Sequence, residues 1–327
     1  MQTIGLFFGG PSNEHEVSIS SAKNIVANFP DKKYKLLLVF WDKQGKFYLV
    51  KNIDDLRKNR QAIVEEKLKE KIDIALLMTH GKNGEDGGLQ SLLESQKIKY
   101  CGCRPLSSAL CMDKGLFKQF LAGQGIKQVK FSVLDYNLHT DRELSAIKDS
   151  IRKTFKLPIY VKPANSGSSV GITKVVKFSQ LPEALTEALK HDNKIVVEEG
   201  LLNPREIEVA VLGNKELKIS SPGELQLAKD FYSYDDKYNL GQATVQIPAK
   251  LSLKQKNEIA KLAERVYKLC LCSGFARIDF FISDNQVYLN EINTLPGFTN
   301  ISMYPMLMMN TGMTYQDLII AILQLAY

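Results

Sequence analysis

Residues 3–8, Thr-Ile-Gly-Leu-Phe-Phe, form an unbroken apolar run that stops at Gly9-Gly10 and gives way to helical spacing at Val17, Ile19, Ala22, Ile25 and Val26. A buried strand, a glycine turn and a helix over residues 12–28 open an α/β unit. Further strands are expected at residues 35–41, 46–50 and 72–79, with a turn at Asp42-Lys-Gln-Gly45 and a helix at 88–95. The first stretch, to about residue 110, therefore reads as a doubly wound domain.

The pattern breaks around Gly102-Cys-Arg-Pro105, and Asp113 then caps a helix running to about residue 122, which puts a boundary near 103–113. Beyond it the spacing predicts a helix at 141–155, a strand at 157–163, a Gly/Ser loop at 165–171, a strand at 172–176 and a helix at 181–190. Strands at 195–199 and 206–212 follow, then a polar aromatic stretch at 230–241, a helix at 252–271, a hairpin, and a closing helix at 314–325. At about 150 residues per domain, a chain of 327 residues holds two or three units. The units read as residues 1–112, 113–198 and 199–327.

Charge bears on partners. Lys plus Arg exceed Asp plus Glu by 43 − 36 = 7, but the basic residues are scattered, with no block or aromatic-interleaved stripe. This favours small anions over nucleic acid. No apolar run approaches the roughly 20 residues of a membrane span, and no signal region follows Met1, so a cytoplasmic protein is expected. Five cysteines, Cys101, Cys103, Cys111, Cys270 and Cys272, lack Cys-x-x-Cys spacing and have no adjacent histidine. They suit buried, reduced thiols better than disulfides or zinc.

The sharpest chemistry lies in the hairpin from Gly274 to Asn293, with a turn at Ser283-Asp-Asn-Gln286. Side chains alternate along a strand, so Arg277 and Asp279 share one face, as do Glu291 and Asn293. Centring the hairpin near Asn285 sets Asp279 opposite Glu291 and Arg277 opposite Asn293. Two carboxylates and an amide oxygen are hard ligands suited to Mg²⁺, and Arg277 can oppose developing negative charge. The same groups would also serve as a solvated face with cross-strand salt bridges. The polar, glycine-containing loop Asn293-Thr-Leu-Pro-Gly-Phe-Thr-Asn300 continues from that strand end, a common place for active-site residues.

Lys162 ends a strand before Pro-Ala-Asn-Ser-Gly167-Ser168-Ser169-Val-Gly171, a small flexible loop whose amides can turn toward phosphate. It is not a Walker loop, and taken alone it reads first as a Gly/Ser hairpin turn, a balance that the carboxylate hairpin downstream reverses. Gly9-Gly10-Pro-Ser-Asn-Glu14 lacks G-x-G-x-x-G, which disfavours a nicotinamide enzyme. Glu14 and Glu16 also fit as acids compensating a helix dipole, and His80 as a structural histidine.

Taken in order, Gly9-Gly-x-Ser-x-Glu14-x-Glu-Val-Ser18, His80-Gly-x-x-Gly-Glu-Asp-Gly87, Met112-Asp-Lys114, Lys162-Pro, Gly167-Ser-Ser-Val-Gly171, Arg205-Glu-Ile-Glu-Val209, Lys237-Tyr238, Arg277-Ile-Asp279 and Asn290-Glu-Ile-Asn-Thr-x-Pro-Gly297 resemble the D-alanine:D-alanine ligases of the ATP-grasp superfamily. The resemblance spans nearly the whole chain. It implies an N-terminal pre-ATP-grasp domain followed by a two-lobed ATP-grasp fold, with a mobile loop at about 230–241. It also implies a homodimer making a peptidoglycan precursor from ATP and D-alanine.

By this similarity Lys114, Lys162 and Lys237 contact ATP, Glu198, Glu199 and Leu201 line the adenine pocket, and Glu206 binds ribose. Asp279, Glu291 and Asn293 would hold two Mg²⁺ ions, or Mn²⁺ in their place. The resemblance assigns the first substrate ammonium to Glu14, with His80 in the same subsite, and the second carboxylate to Ser302. Arg277 and the Gly297 N–H stabilise an oxyanion, and Ser168 links Glu14 to Tyr238 on the closing loop. The Lys237-Tyr238 pair favours D-alanine as second substrate, where a lactate-accepting relative commonly carries histidine. The segment from Glu198 to Glu206 is one residue longer than the usual family spacing, which leaves Glu198 and Glu199 both standing as adenine contacts.

Overall fold

The structure, a computed structural model, describes residues 1–56, 60–227 and 243–326; the loop expected at 230–241, with Lys237 and Tyr238, lies outside these. Among the described residues the fold is mixed α/β, with three sheets.

The N-terminal sheet contains β1 (Thr3–Gly9), β2 (Lys35–Trp41), β3 (Phe47–Val50), β4 (Arg60–Ile63), β5 (Ile74–Leu77) and β6 (Lys99–Cys101), in the order β4-β3-β2-β1-β5-β6. β1 runs parallel to β2 and β5, and β5 to β6, while β3 and β4 form an antiparallel edge. A Cβ at Gly9, where φ is 91°, would overlap the Trp41 carbonyl oxygen, so only glycine makes this exit from β1. Helix α1 (His15–Ala27) follows. Strand order reverses at β1, which opens a crevice beyond the carboxyl ends of β1 and β5. Glu14 and His80 sit on the two segments leaving those ends.

After α2 (Gly88–Ser95), the stretch read as an interruption is a helix, α3 (Pro105–Met112). Pro105 falls in its first turn, where a missing N–H costs nothing, so the residue that argued against helix marks its start. Asp113 then caps α4 (Lys114–Gly123) by accepting from the Leu116 N–H, a bond worth about 1 kcal/mol.

The central sheet has β7 (Phe131–Asp135), β8 (Ile159–Pro163), β9 (Thr173–Val175) and β10 (Lys194–Glu199), in the antiparallel order β7-β10-β8-β9. Helices α5 (Asp141–Thr154) and α6 (Leu181–Leu189) pack on it around a separate core that includes Leu134, Ile151, Val161, Leu185 and Ile195.

The third sheet is built from β11 (Arg205–Leu212), β12 (Lys218–Ile219), β13 (Gly223–Leu227), β14 (Ala243–Gln246), β15 (Phe275–Ser283) and β16 (Gln286–Asn293). Its path is β14-β13-β11-β15-β16, with β12 added on β11. Helix α7 (Leu253–Leu269) covers one face. Helices α8 (Met303–Met309) and α9 (Tyr315–Gln324) turn back: Tyr304, Leu307, Leu318 and Ile322 join Ile4, Phe7 and Leu76 in one core. The first and last parts of the chain are thus welded together, while the middle sheet keeps its own core. No helix among the described residues is long and apolar enough to cross a membrane.

Candidate active site

The hairpin of β15 and β16 places its polar face by means of one extra residue. Pairing runs from Ser283–Gln286 to Phe280–Leu289, then slips, so that Asp279 faces Glu291 and Arg277 faces Asn293. Asn290 is the unpaired residue of this bulge. Val287 and Leu289 point into the core, and strict alternation would carry Glu291 and Asn293 in with them. After the bulge Ile292 is the buried residue, and both ligand candidates turn to the cleft. The expected cross-strand pairs are therefore present, and the bulge is their physical cause.

Arg277 grips Asp279 through Nε to Oδ1 and Nη2 to Oδ2, each at 2.7 Å, and its Nε lies 2.8 Å from Glu208 Oε2. Burial works against the guanidinium charge, but Asp279 and Glu208 overcome it and hold the Arg277 pKa well above its usual value. Asn293 Nδ2 donates to Asp279 Oδ2 at 3.0 Å, which leaves the amide oxygen as an acceptor. Among the described residues no three Asp, Glu, His or Cys side chains converge as a metal site. The hairpin offers two carboxylates and one amide, a set that fits Mg²⁺ when phosphate oxygens and water complete it.

Across the cleft lies a cationic wall. Lys114 Nζ donates to the Ser166 carbonyl at 2.7 Å and lies 3.6 Å from Glu291 Oε2. Glu198 is buried between Lys162 Nζ, 2.8 Å from Oε2, and Lys118 Nζ, 3.2 Å from Oε1. Burial opposes its ionisation, but the two lysines prevail and draw the carboxyl down to about 2. Burial pushes the Lys118 pKa below its ordinary value, an effect that Glu198 only partly offsets. Glu199 instead accepts from the Lys156 N–H at 2.8 Å.

The opposite end is acidic. Ser168 Oγ donates to Glu14 Oε1, and a Cβ on Gly167 would lie 2.5 Å from Glu14 Oε2, so glycine permits this approach. Ser168 and Ser169 hold φ of 49° and 61°, a conformation that non-glycine residues seldom adopt outside functional loops.

Below Glu14, His80 is buried, with Nδ1 2.9 Å from the Leu295 carbonyl and Nε2 3.0 Å from Ser21 Oγ. A carbonyl only accepts, so Nδ1 carries the hydrogen and Nε2 accepts from Ser21. Ser21 Oγ in turn accepts from the Phe298 N–H at 3.1 Å. Burial lowers the His80 pKa despite the Glu14 charge, keeping the ring neutral. His80 thus braces both ends of the loop that carries Gly297. Glu85 braces it again: Oε1 accepts from the Thr294 and Leu295 N–H groups at 3.1 and 3.3 Å. Burial, reinforced by Glu14, raises the Glu85 pKa to about 7. Ser302 Oγ accepts from the Thr299 N–H at 2.9 Å, and a Cβ on Gly297 would come within 2.9 Å of that oxygen.

The hairpin face, Lys114, Lys162, Glu198, Glu14, His80, Glu85, Gly297 and Ser302 border one cavity of about 700 Å³, together with Leu201 and Glu206, and Lys118 lies buried behind Glu198. Every described candidate from the sequence lines it; Lys237 and Tyr238 lie outside the described residues. Three participants were missed. Lys118 stands one helical turn after Lys114, Glu208 alternates with Glu206 on β11, and Glu85 lies inside the His80 motif. The i+4 and i+2 spacings were the available signals for the first two.

Comparison with known proteins follows the same outline. The family model described as D-ala D-ala ligase N-terminus matches residues 3–103, and that described as D-ala D-ala ligase C-terminus matches residues 120–324. A D-alanine--D-alanine ligase of Caldicellulosiruptor bescii is 43% identical, covering 99% of this chain and 94% of the relative. Among solved structures, the VanG D-Ala:D-Ser ligase of Enterococcus faecalis superposes with a TM-score of 0.88 at 32% identity, covering 99% of each chain. The D-alanine-D-alanine ligase of Coxiella burnetii gives 0.85 at 33% identity, covering 99% and 95%.

Proposed function

The chain belongs to the D-alanine:D-alanine ligase family, and from that premise we propose that it joins two D-alanine molecules at the expense of ATP, giving D-alanyl-D-alanine, ADP and phosphate for peptidoglycan synthesis in the cytoplasm. The observation that carries this reading is the division of one cavity into a cationic wall of Lys114 and Lys162, with Lys118 buried behind it on Glu198, and an acidic end of Glu14 and Glu85, with the hairpin face between. Phosphates suit the first, an ammonium the second, and reaction between them belongs at the seam.

In this mechanism Glu14 holds the ammonium of the first D-alanine, and its carboxylate attacks the γ-phosphorus to form an acyl phosphate. Lys114 and Lys162 take the phosphate charge, Glu206 the ribose, and the segment from Glu198 to Leu201 the adenine. Lys118 fixes Glu198 from behind. The second D-alanine, its carboxylate on Ser302, presents its amine to the acyl carbon. Phosphate leaves from the tetrahedral intermediate, whose oxyanion is met by the Gly297 N–H and by Arg277, which binds Asp279 through Nε and Nη2 and has Nη1 to offer. Asp279, Glu291 and Asn293 would hold Mg²⁺, which when bound neutralises charge on the transferring phosphoryl group. Lys237 and Tyr238 close the site against water, which matters because an acyl phosphate hydrolyses readily. The enzyme acts as a homodimer in this reading.

The likeness to a D-Ala:D-Ser ligase brings in a second reading, in which D-serine replaces the second D-alanine. Phosphate release from ATP and Mg²⁺ with D-alanine alone, with added D-serine or D-lactate, with L-alanine, or without acceptor, followed by mass spectrometry, separates them. D-alanyl-D-alanine from D-alanine alone is expected. A mixed product formed in preference would move the assignment to the second reading, and no acceptor-dependent release would remove both.

A further inference from the structure

Four of the five cysteines gather outside the residues used above. Cys103 and Cys111, at the two ends of α3, meet Cys270 and Cys272, in the turn between α7 and β15. All four are buried and reduced. Cys111 Sγ lies 4.0 Å from Cys272 Sγ, and Ser107 Oγ donates to Cys272 Sγ at 3.4 Å. Cys103 is engaged with the backbone of Ser273, its Sγ 3.5 Å from both the carbonyl and the N–H. The cluster is not arranged as a metal site among the described residues.

Two features separate Cys111 and Cys272 from ordinary core thiols. Cys111 borders the substrate cavity and its Sγ lies 4.0 Å from that of Cys272, which sets the pair at the cavity's edge. Cys272 Sγ accepts from Ser107 Oγ at 3.4 Å and lies 4.0 Å from Cys111 Sγ, contacts that favour its thiolate.

We infer that Cys111 and Cys272 form a peroxide-sensitive thiol pair that closes to a disulfide and switches off ligation. The Cys272 thiolate attacks one peroxide oxygen, giving a sulfenic acid and hydroxide. The Cys111 thiol then attacks that sulfur, forming the S–S bond and releasing water. In total two thiols and one peroxide give one disulfide and two waters.

The inhibition rests on position. Bonding brings the sulfur atoms from 4.0 Å to about 2.05 Å, which draws the end of α3 toward the turn before β15. Lys114 begins the next helix, three residues on, and its contacts with Ser166 and Glu291 set the cationic wall. Displacing it by about 1 Å is expected to lower turnover roughly tenfold or more. The thiol chemistry stands apart from the substrate assignment, and only this last step rests on the proposed function.

The test treats the full-length protein with hydrogen peroxide, with and without ADP and Mg²⁺, blocks remaining thiols by alkylation, and maps peptides by mass spectrometry. A Cys111–Cys272 linked peptide is expected, reduced in yield by ADP and reversed by dithiothreitol together with recovery of turnover. Cys272→Ser should retain basal activity and resist peroxide. Sulfinic acid at Cys272 with no linked peptide, five alkylatable thiols after treatment, or equal inactivation of Cys272→Ser would each overturn the inference. Should the variant fail to fold, peptide mapping of the unaltered chain still decides.

Discussion

Glu198 and Glu85 line the same cavity and carry the same side chain, yet the protein shifts their pKa values in opposite directions. Both lose water. Glu198 has Lys118 and Lys162 within 3.2 Å and stays ionised, its pKa drawn down to about 2. Glu85 has backbone N–H groups as partners and Glu14 as a neighbouring charge, and its pKa rises to about 7. Desolvation is common to both, so the difference comes from the charges opposite. The cationic wall is neutralised only in part by one glutamate and is left attractive to phosphate. At the acidic end Glu14 is the carboxylate offered to an ammonium, and a second charge at Glu85 is disfavoured.

If the hairpin face is the seam between the two halves, removing it should abolish their joint chemistry while leaving each able to bind. Glu291→Gln is expected to lower acceptor-dependent phosphate release by about a thousandfold, with ADP binding by calorimetry weakened far less. Unchanged turnover would break the division of the cavity. Glu14→Gln tests the acidic end alone: the KM for the first D-alanine should rise about a hundredfold through loss of a charge-assisted contact, with the KM for ATP unmoved. Parallel changes in both constants would show that the halves are not separate.

Much of this division was legible in the sequence. Alternation on β15 and β16 set out the seam, but the placement of Glu291 and Asn293 depends on a bulge at Asn290 that no residue type there announces. Bulges are set by pairing across the sheet, a nonlocal matter. Helix α3 was hidden for the opposite reason, because Pro105 was read as a breaker when it occupies a first turn. The opposed shifts of Glu85 and Glu198 were invisible, since each depends on surroundings distant in sequence: burial and Glu14 for one, Lys118 and Lys162 for the other. The core shared by the first sheet and the last helices was hidden likewise, although each segment showed its apolar spacing.

Lys118→Met sharpens the cationic side. It leaves Glu198 buried with one cation instead of two, and the expected cost is about 3 kcal/mol of stability, read as a lowered denaturant midpoint. The double variant Lys118→Met with Glu198→Gln removes the orphaned charge and should recover part of that loss. Full additivity of the two single effects would mean that the pair is not coupled.

The smallest effect is on the dependence of stability on pH, where the two glutamates should act with opposite sign. The folded Glu85 titrates near 7 against an ordinary 4.5. Between those values the folded chain keeps a proton that the unfolded chain has released, so this contribution is whole below pH 4.5 and is lost as the pH rises through 7. Glu198 runs the other way: its contribution is whole above pH 4.5 and is lost as the pH falls toward 2. Glu85→Gln keeps an acceptor for Thr294 and Leu295 but cannot ionise. Its stability, measured by urea unfolding, should gain on that of the unaltered chain from pH 4.5 to 7 and run parallel above. Parallel curves throughout would place Glu85 in the ordinary carboxylate range and remove its contrast with Glu198.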